Sequence, residues 1–255
     1  MTYVSAAAAQ PPAPASTDWT ITIGAEGRVL PKFEGSASAM LRPFPLFDAR
    51  RAGTPENFRS PVDGFSFSFL DYGRFHIGPT TKIKFARKEG DDANLRGLGD
   101  VSMAFEAGAF AEYWVADWLR TRVEVRQGFG GHHGVVGEAT ADLVIPVTPK
   151  LTLSGGPRLT VATAAATDPY FSVTPAQSAA SGLAIYSAGG GLRAYGAGVQ
   201  ARYEWSPQWA THVFLEYERL AAPAANSPLV TRYGTSDQIQ VGMGVTYSFN
   251  MKALW

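Results

Sequence analysis

Residues 240–255 read QVGMGVTYSFNMKALW. Every odd position from Val241 to Trp255 is apolar, against Gln240, Gly242, Gly244, Thr246, Ser248, Asn250, Lys252 and Leu254 at the even ones. A period of two is the signature of a strand with unlike faces. The run is longer than the five or six residues of an average soluble strand. It exceeds even the roughly 9–11 residues with which a tilted strand crosses a bilayer. The final strand of a closed cylinder pairs with the first and leaves no open edge in lipid.

The same alternation recurs along the chain. Ten strands follow from it, over 18–28, 63–71, 74–87, 102–115, 118–130, 135–147, 150–163, 192–205, 208–220 and 237–251. Their apolar faces are opposed by charge: Arg120, Arg122, Glu124 and Arg126 alternate with Val123 and Val125. A lipid-facing band outside and a charged lumen inside is the pattern of a transmembrane antiparallel β-barrel. The tight connections near 71–73, 115–117, 148–150 and 206–208 fit periplasmic turns, and 87–101, 130–135, 164–190 and 221–236 fit long extracellular loops. Trp114, Trp118, Trp205 and Trp209 stand beside the short turns, where an aromatic girdle belongs. Residues 29–62 read as one long first extracellular connection, because Pro43 and Pro45 disfavour a central strand through 41–47. An extra hairpin from 37–60 gives twelve strands, the second choice.

Composition agrees. Charged residues are 17% of the chain, the net charge is zero and there is no cysteine. No basic excess is present to neutralise phosphates, so nucleic acid is not a partner, and no disulfide or thiolate site exists. No run of about twenty apolar residues is present for a spanning helix. Residues 1–17, Ala-rich and then Pro/Ala/Ser-rich, read as a signal remnant or a flexible tract, and 18–255 as one barrel.

Several stretches carry a resemblance: PKFEGS at 31–36, RPFPLF at 42–47, LRGLGD at 95–100, VRQGFGGHHG at 125–134, DPYFSVTPAQSAASGLAIYSAGGGL at 168–192, YERLAAPAANSPLV at 217–230 and YSF at 247–249. Over 19–249 the chain resembles the MltA-interacting protein (MipA/OmpV) family. The resemblance implies an outer-membrane β-barrel of a Gram-negative bacterium, made with a cleaved signal. It implies a scaffold joining a lytic transglycosylase to a penicillin-binding synthase. Other members are associated with adhesion or permeability. The family pattern ends at Phe249, whereas this chain continues with NMKALW, so Phe249 or Trp255 is the terminal targeting aromatic.

The chemical candidates divide by face and loop. Lys82, Lys84, Arg120, Arg122, Arg126 and Arg202, with Glu106, Glu112, Glu124, Glu204, Glu216 and Glu218, form a lumen charge network, either a rigid paired filling or a selective constriction. The 164–190 loop is the candidate plug, through Tyr170, Phe171, Pro175, Gln177 and Ser181. Thr174 and Pro175 predict a short helix over 175–182. Adjacent His132 and His133 diverge on a strand, so neither a metal nor a cofactor is expected. The Gly189–Gly191 run lacks the lysine of a phosphate loop. Glu89, Asp91 and Asp92 read as a solvated loop. A hydrolase drawing on His132, His133, Ser172, Ser178 and Ser181 lacks a Gly-x-Ser-x-Gly elbow, so no enzyme is expected. Two readings remain. One is a non-enzymatic scaffold in contact with lipid, lipopolysaccharide and periplasmic murein enzymes. The other is a narrow channel for small solutes.

Overall fold

The computed structural model describes residues 18–54 and 56–252; the tract 1–17 and the terminal Trp255 lie outside them. The strands are β1 (Trp19–Pro31), β2 (Ala39–Arg51), β3 (Phe65–Ser66), β4 (Leu70–Tyr72), β5 (Phe75–Lys84), β6 (Ala104–Ala116), β7 (Leu119–Gly130), β8 (Val135–Pro146), β9 (Leu151–Ala162), β10 (Gly191–Glu204), β11 (Trp209–Leu220) and β12 (Asp237–Met251). Among the described residues they form one twelve-stranded sheet, ordered β2-β1-β12-β11-β10-β9-β8-β7-β6-β5-β3, with β4 also paired to β5. The stretch that opened the sequence analysis is β12, and Trp19 of β1 lies opposite its Met251.

The two faces of this sheet invert the distribution of a soluble protein. Val123, Val199 and Val245 are 51%, 58% and 40% exposed on the outside, whereas Arg120 and Arg126 are each 1% exposed on the inside. Apolar side chains outside and ions within are stable only where lipid wraps the wall. Val125 stands mid-strand, opposite Ala109 and Gly137. We expect Val125→Arg to cost about 2–4 kcal/mol in urea unfolding from lipid vesicles. A loss of less than about 1 kcal/mol would place this face outside the bilayer.

Residues 29–62 are not a single extracellular connection. β2 runs the full height of the wall beside β1, from Ala39 opposite Pro31 to Arg51 opposite Trp19. Its prolines are tolerated because alternate residues direct their N–H groups to the same edge, and β2 has a ladder partner on one side only. The chain then turns inward. β2 ends at the short-turn end, but β3 begins high on β5, where Phe65 lies opposite Thr81. Residues 56–64 therefore climb through the interior, and Phe75 to Thr81 on β5 spans about 20 Å by the rise per residue. β2 and the collinear β3 and β4 consequently run in the same direction at the two ends of the sheet. Phe44 and Phe85 meet edge-on there, 5.6 Å apart.

At the long-loop end, three connections pack into a cap. Helices α1 (Ala164–Phe171), α2 (Pro175–Ser181), α3 (Ala222–Ala225) and α4 (Pro228–Tyr233) all belong to it. Tyr170, Phe171, Val101, Ala224 and Val230 form one buried cluster with Ala194 and Leu220 of the wall. Leu95, Leu98, Val173, Leu183 and Leu229 form a second with Phe33. In α2 the Thr174 hydroxyl accepts the Gln177 N–H at 3.3 Å, and Gly182 ends the helix at φ 74°. Proline at the first turn and a left-handed glycine after the last give the short segment both its boundaries.

Candidate functional site

The interior is built by alternation on adjacent strands. β7 points Arg120, Arg122, Glu124 and Arg126 inward, and the ladders set Glu112 of β6 beside Arg122 and Asp142 of β8 beside Arg120. Arg120 binds Asp63 at 2.7 Å, Glu112 at 2.8 Å and Asp142 at 3.2 Å. Arg122 binds Glu112 at 3.1 Å and Glu124 at 2.7 Å. Arg126 binds Glu106 at 3.0 Å and Glu138 at 2.9 Å, and also Glu124. Asp142 passes the chain of pairs to Arg158 at 2.8 Å, and Arg158 passes it to Glu216 at 3.2 Å. Each ion of this lattice thus has a counter-ion, without which it would carry a large desolvation penalty.

Residues 56–64 are bound into this lattice at every step of their climb. Glu56 meets Arg202 at 2.7 Å near the short-turn end. The Phe58 ring lies 6.3 Å from Trp114 and 5.2 Å from the Arg120 guanidinium. The Ser60 hydroxyl accepts from Arg158 at 3.1 Å, and the Val62 carbonyl from Lys82 at 3.0 Å. The Gly64 N–H donates to Glu124 at 3.1 Å. Residues 58–64 therefore occupy the interior, and the 164–190 loop, the candidate plug, packs at the barrel mouth as part of the cap. Tyr170 and Phe171 anchor the cap, with Tyr170 facing inward 3.7 Å from the Lys84 ammonium. Pro175 and Ser181 bound α2, and Gln177 donates to the Leu98 carbonyl at 2.6 Å.

The other sequence candidates fall as follows. Lys82 pairs with Glu138 at 3.0 Å, and Lys84 with Glu34 at 2.7 Å. Glu204, half-exposed, stands 3.7 Å from Arg202. Glu218 has neither hydrogen bond nor ion pair among the described residues. Trp118, Trp205 and Trp209 are exposed at the short-turn end, and Trp209 packs 4.8 Å from Tyr247. Trp114 does not join them. It shares the inward parity of Glu112, to whose carboxylate its indole N–H donates at 3.0 Å. His132 is buried 3.1 Å from Glu106 while His133 is exposed, and no cluster of three metal-ligating side chains occurs among the described residues. Ser172, Ser178 and Ser181 donate to Asp168, Leu183 and Gln177, not to a histidine. Asp92 takes the Asn94 N–H and Lys32, which hold its carboxyl below the ordinary range.

Sequence reasoning missed Asp63, Glu138, Asp142, Arg158 and Arg193. Glu138, Asp142 and Arg158 stand at the even positions of β8 and β9, so alternation alone assigns them inward. Asp63 carries no such signal, because no periodicity marks a segment that leaves the wall. A cavity of about 280 Å³ remains between the cap and the threaded segment, lined by Glu34, Lys84, Pro61, Arg193, Glu218 and Gln240 among others.

Residues 23–249 match the family described as MltA-interacting protein MipA. No curated protein matches the sequence significantly. Among solved structures, the chain is similar to the NanC porin at 7% identity, covering 91% of this chain and 100% of that one, with a TM-score of 0.45. It is similar to the KdgM porin at 12% identity, covering 90% and 99%, with a TM-score of 0.41. An outer-membrane channel from Pseudomonas putida F1 shares 10% identity over 95% and 100%, with a TM-score of 0.45.

Proposed function

From the premise that this chain belongs to the MltA-interacting protein family, we propose that it is a closed scaffold, holding a murein-cleaving enzyme at the inner face of the outer membrane. The protein is an outer-membrane β-barrel. The proposed cylinder has twelve traverses, eleven in the wall and one, residues 56–64, inside it. The observation that carries the reading is this internal traverse. A lumen whose ions are all but one matched, and which is bound to a segment of its own chain, is built for rigidity rather than flow. Rigidity suits a platform, since a partner then docks on turns that do not rearrange.

A murein enzyme lies on the periplasmic side, so the docking surface falls on the short turns near 117–118, 147–150 and 205–208. The full chain, folded in detergent, is expected to retain a lytic transglycosylase of the same envelope on an affinity column. Replacing those turns by unrelated turns of equal length is expected to abolish retention while leaving the barrel folded. Retention unchanged by all three replacements, or absent from the intact chain, overturns the proposal. The second reading, a narrow channel, draws on the charged cavity beneath the cap and makes the opposite prediction about conductance.

A further inference from the structure

The cavity beneath the cap contains an arginine that strand alternation would have sent outward. On β10 the inward residues are the even ones, Ala194, Gly196 and Gly198, so Arg193 belongs by parity to the outer face. The ladder to β9 slips between Leu192 and Ala194, and Arg193 is the residue left over. A bulge of this kind re-aims a side chain. Here it turns the guanidinium into the cavity, with its side chain only 13% exposed. Among the described residues it makes no side-chain hydrogen bond there, and its one ion pair, to Glu34, is long at 3.6 Å.

Opposite it stands the one glutamate that the network leaves over. Glu218 of β11 lies across from Gly196, and Glu216 across from Gly198. The Glu216 carboxylate fills the space that a Cβ on Gly198 would take. Among the described residues Glu218 projects into the same cavity with no hydrogen bond or ion pair, attracted by Arg193 and Lys82 but beyond pairing distance of either. The buried Thr140 hydroxyl on its wall is also without a partner among the described residues. The lining as a whole is neutral, with five acidic and five basic side chains.

Unused donors on one side, an unused carboxylate on the other and no net charge define the occupant. We propose that this cavity is a binding site for a small zwitterion of amino-acid or dipeptide size, its carboxylate on Arg193 and its ammonium on Glu218. A guanidinium receives a carboxylate in a two-pronged, charge-assisted contact, and a buried carboxylate receives an ammonium in the same way. The volume is at the low end for ligand pockets, which excludes larger solutes. The site does not depend on the scaffold role, and partner retention plays no part in its test.

The test is calorimetric titration of the full chain, folded in detergent, with L-alanyl-L-alanine, its N-acetyl derivative and its C-terminal amide. The free dipeptide is expected to bind saturably, and each blocked derivative at least about tenfold more weakly. Glu218→Gln is expected to erase the preference over the N-acetyl form while keeping that over the amide, and Arg193→Gln the reverse. Selective loss of one preference is not a symptom of misfolding. No saturable binding at millimolar dipeptide, equal binding of the blocked forms, or both preferences surviving in both variants overturns the assignment.

Discussion

Replacing residues 56–63 with eight glycines and serines converts a silent barrel into a conducting one. The intact chain in a planar bilayer is expected to give no resolvable current steps, and the replaced chain to give steps in most insertions. The reason is volume and charge together. Eight strands enclose a space that side chains fill, whereas larger barrels leave a lumen over. In this protein the surplus is occupied by Phe58, Ser60, Pro61 and Asp63, held by Arg120, Arg158 and Lys82. A glycine–serine stretch keeps the covalent path from β2 to β3 but loses the ring and the carboxylates. The wall ions, both signs of them, then face water. The cap still covers the mouth, so a second variant adds Phe171→Ala, which removes a side chain 1% exposed at the centre of the cap cluster. The pair of changes is expected to raise the open fraction above that of the replacement alone. Steps from the intact chain would favour the channel reading. Silence from both variants would mean that closure does not reside in the threaded segment.

The fold was legible to the extent that one rule, alternation, governed it. β7 and β12 follow that rule without a break, and their boundaries were read to within one or two residues. β2 was hidden because Pro43 and Pro45 look like strand breakers until one knows that the strand sits at an end of the sheet. Trp114 was misplaced for a different reason: proximity to a turn was weighed above parity, and parity decides direction. Arg193 could not have been placed, since a bulge is a property of the ladder and leaves no mark on the amino-acid pattern. The threaded segment is illegible on the same grounds. Its residues obey the chemistry of the lumen they enter, and that lumen is made by strands far away in sequence.

Arg120→Ala is expected to be the most destabilising single substitution in the interior, at about 3–5 kcal/mol. Arg120 is 1% exposed and faces three carboxylates, those of Asp63, Glu112 and Asp142. All three have another basic partner, Arg122 for Asp63 and Glu112 and Arg158 for Asp142, but the shared arginine is what keeps the group near neutrality. Its loss leaves like charges buried together, which costs more than the original pairs contributed. Urea unfolding from lipid vesicles reads the effect. Arg120→Lys is expected to fall between the two, because a single ammonium cannot serve three carboxylates in the fixed directions of a guanidinium. Arg74→Ala provides the contrast. Arg74 binds Asp117 at 2.6 Å, but the Asp117 side chain is 91% exposed, and a pair so placed is worth less than about 1 kcal/mol. If the two alanine substitutions prove equal, the interior is wet enough to screen its ions. A barrel that wet would conduct, and the closed-scaffold reading would fail along with the electrostatic one.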